Sequence, residues 1–301
     1  MNDTQFKSGF VAILGKPNAG KSTLMNALVG LKVSIVSAKP QTTRDRVFGI
    51  LSTDEYQIVF VDMPGVIVPN DKLNETLISR VEESLADVDI LYHLVDATDK
   101  NETNSKMEEL LQRTKSAHKF LVVNKIDLAP NAWTKKDCTP MGYDDVIRIS
   151  ALRKTGLDEL ITKTVQCLEP GPLFYDPEQL TDRDERFIAS EIVREKVFEN
   201  LSDELPYAVH TETEVFEERE TSKDFIRVVI YVERDTQKGI VIGHKGEMLK
   251  KIGLDARKEI EMVIDRPCFL ELWVKVRPNW RKNDFDLNNF GYKRSKKKKK
   301  R

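Results

Sequence analysis

At 301 residues, with 40% hydrophobic and 32% charged residues, the chain is long enough for two globular domains. Its longest apolar runs, FVAIL and ILYHLV, are too short to cross a bilayer, and the start MNDTQFKSGF lacks a secretory signal pattern, which points to the cytoplasm. The net charge of −1 divides unevenly: residues 272–301 hold twelve Lys or Arg against two Asp, a net of +10, so the first 271 residues carry −11.

In chain order, strands are predicted at 10–14, 46–52, 56–62, 89–96, 119–124 and 145–150, with helix-length segments at 21–29, 71–86, 103–116 and 156–168. Apolar strands joined by crossover helices make a mostly parallel, six-stranded sheet covered on both faces, an α/β domain. The exception is 46–62, where a short TDE turn predicts an antiparallel hairpin. EPGPLFYDP (169–177) holds three prolines and a glycine and reads as a linker. Beyond it, Phe187, Ile188, Ile192, Val193, Val197 and Leu201 recur at helical spacing. Two alternating strands (210–218 and 225–233) follow, then a segment with a helical stripe of Leu249, Ile252, Ala256, Ile260 and Val263, then a last strand at 268–277. Cys138, Cys167 and Cys268 are widely spaced and form no CxxC, which argues against a disulfide framework or a zinc site. His93, inside ILYHLVD, reads as a core residue.

The first strand runs into GKPNAGKST (15–23). Gly15, Gly20, Lys21 and Ser22 have the spacing of a phosphate-binding loop opening a helix, whose backbone N–H groups and positive end face phosphates. Lys21 is expected at the β- and γ-phosphates and the Ser22 hydroxyl on Mg²⁺. DMPG (62–65) ends the third strand, where Asp62 would hold Mg²⁺ through water and Gly65 would offer its N–H to the γ-phosphate. NKID (124–127) ends the fifth strand, and its Asp127 can accept from N1–H and the exocyclic amine of guanine, a donor pair that adenine lacks. SAL (150–152) would close over the guanine oxygen.

These stretches, with QTTRD (41–45), resemble the five motifs of translation-factor-type GTPases. The resemblance implies GTP contacts from Gly15, Lys16, Pro17, Asn18, Ala19, Gly20, Lys21, Ser22 and Thr23, from Asp62, Met63, Pro64 and Gly65, from Asn124, Lys125 and Asp127, and from Ser150, Ala151 and Leu152. It makes Gln41, Thr42, Thr43, Arg44 and Asp45 part of a switch, with Thr43, or else Thr42, joining Mg²⁺ beside Ser22 and Asp62. Lys21, Asn18, Thr43 and Gly65 are the expected catalytic groups. Two positions depart from the commonest pattern: Val66 cannot orient a water as glutamine does in many small GTPases, and Met63 stands where threonine is usual. Asn18 matches family members that use K⁺ beside the phosphates.

A second set of residues lies in IVIGHKGEMLKKIG, where Gly243, His244, Lys245 and Gly246 form a GxxG between two helices, the clamp by which KH domains grip RNA. With LPY (205–207), ELWVKVR (271–277) and FGY (290–292), the chain over residues 8 to 292 resembles the Era family of ribosome-assembly GTPases. That resemblance implies a GTPase domain (1–170), a linker (171–180), an α+β type II KH domain (181–292) and a basic tail (293–301). It implies a monomer that hydrolyses GTP and binds 16S-type ribosomal RNA near its 3′ end in the small subunit, with peripheral membrane contact in some members. The tail KRSKKKKKR departs from the family's usual ending and reads as an RNA-binding arm, or else as a solvated run with little function. The competing reading is a GTP-regulated adaptor whose basic end grips anionic lipid.

Overall fold

The computed structural model describes residues 5–37, 39, 42–66, 69, 71–86, 88–99, 105–116, 118–131, 133 and 142–292. Gln41, Cys138 and the basic tail 293–301 lie outside the described residues.

The first strand, β1 (Lys7–Gly15), is apolar on both sides. Val11 and Ile13 enter one core layer, Ala12 and Leu14 the other. A strand of that kind belongs inside a covered sheet. It pairs with β3 (Tyr56–Asp62) and β4 (Ile90–Asp96), and the sheet continues outward through β2 (Val47–Ser52) on one side and through β5 (His118–Asn124) and β6 (Asp145–Arg148) on the other. The order is β2-β3-β1-β4-β5-β6. All neighbours are parallel except β2 and β3, the expected hairpin, in which Val47 faces Asp62 and Ser52 faces Gln57. Helices α1 (Lys21–Val29) and α2 (Lys72–Ser84) are followed by α3 (Ser105–Arg113) and α4 (Leu157–Cys167). One sheet face is covered by Leu24, Met25, Leu157 and Leu160 of α1 and α4, the other by Ile78, Val81, Met107 and Leu110 of α2 and α3. Parallel pairing therefore brings Gly15, Asp62 and Asn124 to the same edge, the carboxyl ends of the strands, where open α/β sheets hold ligands.

The proline-rich stretch after α4 is fastened to this domain. Gln57, fully buried, accepts from Phe174 N–H (2.8 Å) and Tyr175 N–H (3.0 Å) and donates to the Tyr175 carbonyl (2.9 Å). Further on, Ile50 N–H donates to the Leu180 carbonyl at 2.9 Å and Phe48 N–H to the Asp182 carboxylate at 2.9 Å. The chain so covers β2, which would otherwise present an open edge.

The second domain starts with α5 (Glu185–Asn200), capped by the Asp184 carboxylate accepting from Phe187 N–H at 2.8 Å. Strands β7 (His210–Glu217) and β8 (Asp224–Val232) pair antiparallel, and β9 (Cys268–Val276) joins β8 in parallel. A parallel neighbour requires a crossover, which α6 (Asp235–Ile242) and α7 (Glu247–Ile264) supply. Ile192, Val193 and Val197 of α5 and Ile252, Ala256 and Ile260 of α7 pack on Ile226, Val228 and Ile230 of β8. This is the expected α+β domain, with the GxxG between its crossover helices. A last helix, α8 (Asp284–Asn289), returns to the first domain: Trp280, Leu287 and Tyr292 pack on Leu73 and Leu77 of α2. Among the described cysteines, Cys167 is part-exposed and Cys268 buried, and both are free thiols.

His93 on β4 is 2% exposed. Its Nδ1 lies 2.5 Å from the Tyr143 hydroxyl, and Nε2 is buried without a partner. Burial pushes its pKa down to about 4. The unfolded chain takes up a proton near the usual 6.5, so the stability contributed by neutral His93 is present above pH 6.5 and is lost as pH falls towards 4, by about 3 kcal/mol. Urea unfolding across that window should give a shallower pH dependence for His93→Gln than for the parent; equal slopes would contradict the linkage.

Candidate functional site

The loop between β1 and α1 can form only because of its residue types. Gly20 precedes α1 with φ 98°, and a Cβ there would lie 2.3 Å from the Asn124 Nδ2. Asn18 takes φ 64°, a left-handed conformation that asparagine tolerates. Gly65 lies against Pro17, so the chain leaving β3 rests on the loop. Ala19 is buried, while Pro17, Asn18 and Thr23 line a narrow cleft of about 50 Å³ together with Ile35, Val36 and Ser37.

At the floor of that cleft four polar side chains meet. The Ser22 hydroxyl donates to Asp62 Oδ2 at 2.7 Å and lies 2.9 Å from the Thr43 hydroxyl. Since Ser22 has one proton and gives it to Asp62, the Thr43 hydroxyl donates to Ser22. Ser34, a partner not foreseen from the sequence, donates to the same Asp62 oxygen at 2.8 Å. Asp62 Oδ1 is buried without a partner. Lys21 is 6% exposed and donates to the carbonyls of Gly15 (3.2 Å) and Lys16 (2.8 Å). Burial pushes the Lys21 ammonium down to about 8, against the pull of Asp62, and burial raises the Asp62 carboxyl, against the pull of Lys21. Both shifts say that the pair is short of opposite charge. Two hydroxyls and a carboxylate oxygen with an unfilled lone-pair direction are hard donors of the kind Mg²⁺ takes, so this set fits that ion. Thr42, the alternative switch threonine, donates to the Lys39 carbonyl at 2.9 Å, and Thr43 holds the place beside Ser22. Met63, Pro64 and Val66 are buried, with Met63 and Val66 in the α2/α3 core layer.

On the far side of the loop, Asn124 is a brace. Its Nδ2 donates to the Ala19 carbonyl at 2.9 Å and its Oδ1 accepts from Ala151 N–H at 2.9 Å, tying NKID to both GKPNAGKST and SAL. Lys125, at φ 62°, is paired with Asp96 at 2.6 Å, and Lys16 with Asp99 at 3.1 Å; neither carboxylate was marked by the motifs. Ser150 is buried, Asp127 exposed, and Leu152 is 77% exposed. Of the switch stretch, Arg44 and Asp45 turn away from the cleft towards α2 and the second domain: Asp45 pairs with Arg80 at 3.0 Å, and Arg44 donates to carbonyls of residues 207 and 209.

The second cluster lies in the second domain, between α6 and α7. Gly243 has φ 74°, and a Cβ there would lie 2.6 Å from Met248 Cβ, so the turn into α7 needs glycine. His244 and Lys245 are exposed on it. A groove of about 410 Å³ runs from Gly246 between α7 and β9, walled by Leu249, Gly253, Leu254, Leu270 and Leu272. Sequence reading used Leu249 for the core and passed over Gly253 and Leu254. The signal was there: Gly253 is a glycine inside a helix, where Leu272 comes within 3.3 Å of a would-be Cβ, and Leu254, 44% exposed, is an apolar residue off the buried stripe.

Residues 10–125 match the family described as 50S ribosome-binding GTPase, and residues 204–281 match the KH domain family. GTPase Era of Caldicellulosiruptor saccharolyticus is 44% identical, covering 95% of this chain and 98% of its own. GTPase Era of Geotalea daltonii is also 44% identical, covering 97% and 100%. Among solved structures, a variant of Aquifex aeolicus Era bound to GDP.AlF4- superposes with a TM-score of 0.87 at 36% identity, over 95% of this chain and 99% of that one. An Era in complex with MgGDPNP and nucleotides 1506–1542 of 16S ribosomal RNA superposes equally well, with the same identity and coverage.

Proposed function

Since this chain belongs to the Era family of GTPases, we propose that it binds GTP on the loop of residues 15–23, hydrolyses it to GDP and phosphate, and uses its KH domain to hold small-subunit ribosomal RNA near the 3′ end during assembly in the cytoplasm. The Ser22 hydroxyl bonded to the buried Asp62 carboxylate and in contact with the Thr43 hydroxyl, with the buried Lys21 ammonium beside them, is the observation that carries the reading of the first site. The RNA reading rests on the exposed GHKG turn, its adjoining groove and the RNA bound by the relative named above. The GHKG clamp favours RNA over a lipid surface as the partner of the second domain. No helix among the described residues is long and apolar enough to cross a membrane.

In the GTP-bound protein, Lys21 leaves the Gly15 and Lys16 carbonyls for the β- and γ-phosphates, whose charge restores the full protonation that burial opposes. Backbone N–H groups at the start of α1, with that of Gly65, donate to the phosphate oxygens on which negative charge grows as water attacks the γ-phosphorus and GDP leaves. Ser22, Thr43 and Asp62 would hold Mg²⁺, which would supply positive charge to the phosphates. Val66 is buried in the core and offers no hydrogen bond to the attacking water. Help from another electrophile is therefore needed, and a K⁺ ion that takes Asn18 of the loop as a ligand would supply it. Asp127 reads the guanine edge, and the Ala151 N–H, which donates to Asn124 Oδ1 at 2.9 Å, would be shared with the guanine oxygen.

Three measurements check these assignments. Asp127→Asn should lose GTP affinity and gain affinity for xanthosine triphosphate, because the amide no longer matches two guanine donors; unchanged GTP binding would remove Asp127 from the base site. Hydrolysis should run faster in K⁺ than in Na⁺ at equal ionic strength, since a missing electrophile is worth about 10³–10⁵ in related systems. Equal rates would end the potassium assignment while leaving the GTPase intact. Reversing charge with His244→Asp and Lys245→Asp should weaken binding to a 3′-terminal small-subunit RNA by about tenfold or more, as two phosphate contacts become repulsive. A variant that melts like the parent and binds that RNA equally tightly would reduce GHKG to a turn.

A further inference from the structure

Arg44 follows the switch threonine, yet its side chain belongs to the other domain. It is 3% exposed. Its Nη1 donates to the Val209 carbonyl at 2.5 Å and its Nη2 to the Tyr207 carbonyl at 2.8 Å, while its guanidinium carbon lies 5.8 Å from the centre of the Trp280 ring. The intervening Ala208 carbonyl is taken by Trp280 Nε1 at 2.9 Å. Successive carbonyls in the turn leading to β7 are thus held by a switch residue and by the ring that the same residue lies against. A guanidinium buried this deeply is costly unless its N–H groups find acceptors, and here the acceptors exist only while the second domain is docked.

The other end of the switch segment is fastened in the same way. Lys39 donates to the Phe198 and Leu201 carbonyls at the C-terminal end of α5, where the helix dipole favours a cation. Earlier still, Val36 N–H donates to the Glu195 carboxylate on α5 at 3.3 Å, and Lys32 pairs with Glu195 at 2.7 Å and with Glu259 on α7. Thr42 and Thr43 therefore lie between two cations anchored on the second domain. Consecutive Cα atoms are about 3.8 Å apart, so an Arg44 held at both nitrogens leaves Thr43 little slack.

We propose that Arg44 is a positioning residue for GTP hydrolysis: its bonds to the Tyr207 and Val209 carbonyls and its contact with Trp280 hold the Thr43 hydroxyl on Ser22, so the second domain sets the geometry of the Mg²⁺ and γ-phosphate end of the site. This rests on the reading of Thr43 as the Mg²⁺-binding switch threonine. Arg44 touches neither nucleotide nor ion and acts through Thr43. Lysine in its place keeps the charge and loses the fork that spans two carbonyls.

The test compares full-length parent, Arg44→Ala, Arg44→Lys, Thr43→Ala and the double variant Thr43→Ala/Arg44→Ala. The readouts are kcat and KM for GTP, the Mg²⁺ concentration at half-maximal rate, and GDP affinity, which reports an intact loop. Arg44→Ala should lower kcat by about 10- to 100-fold, the cost of a slight misplacement at a reacting centre, and raise the Mg²⁺ requirement while leaving GDP affinity unchanged. Arg44→Lys should fall between it and the parent, and it carries the test alone should the alanine protein fail to fold. The double variant should be no slower than Thr43→Ala, because two residues acting as a unit are not additive. A slow Thr43→Ala beside a full-rate Arg44→Ala or Arg44→Lys would overturn the proposal, as would a double variant slowed by the product of the single effects. A full-rate Thr43→Ala would overturn the switch assignment and this proposal with it.

Discussion

The carboxylate of Asp62 is the group around which the rest of the first domain is arranged. It is fully buried, which raises its pKa, against the pull of the Lys21 ammonium nearby and of two hydroxyl donors on one oxygen. Its other oxygen is left without a donor. A buried acceptor in that condition is costly by about 1–3 kcal/mol, a cost that a cation bound beside it would offset. Lys21 shows the complementary defect, with its ammonium pushed down by burial and parked on two backbone carbonyls. Anion and cation are each short of a partner that a metal-bound triphosphate would bring.

Much of this was legible in the sequence because the signals are local. Apolar strands such as FVAIL and YQIVFVD permit one kind of environment, and the short TDE turn forced β2 and β3 to pair antiparallel. The glycines at 20 and 243 mark backbone conformations that other residues resist. What could not be read depends on which distant surfaces meet. Gln57 looks like an ordinary polar residue on an apolar strand, yet it is fully buried and holds Phe174 and Tyr175 of the segment after α4. Arg44 looks like part of a nucleotide motif and is bonded to the other domain. Ser34 carries no motif at all, and only the folded loop brings it to Asp62.

The two domains meet where the nucleotide end can be felt. Leu73 and Leu77 of α2, in the segment after DMPG, pack on Trp280, Leu287 and Tyr292. Arg80 donates to the Gly291 carbonyl, and its guanidinium carbon lies 5.6 Å from the centre of the Tyr292 ring. Both Arg44, beside the switch threonine, and α2, which follows DMPG, are therefore in contact with the end of the second domain. By thermodynamic reciprocity, whatever RNA does to GTP affinity, GTP must do to RNA affinity.

The most direct test of the whole account is to crosslink the full-length protein to RNA in cells under conditions that hold it in the GTP state, recover it and sequence the attached RNA. A GTPase whose KH groove grips small-subunit ribosomal RNA predicts reads concentrated near the 3′ end of that RNA and depleted when His244 and Lys245 carry negative charge. Reads spread evenly over unrelated RNAs, or unaffected by that charge reversal, would contradict it.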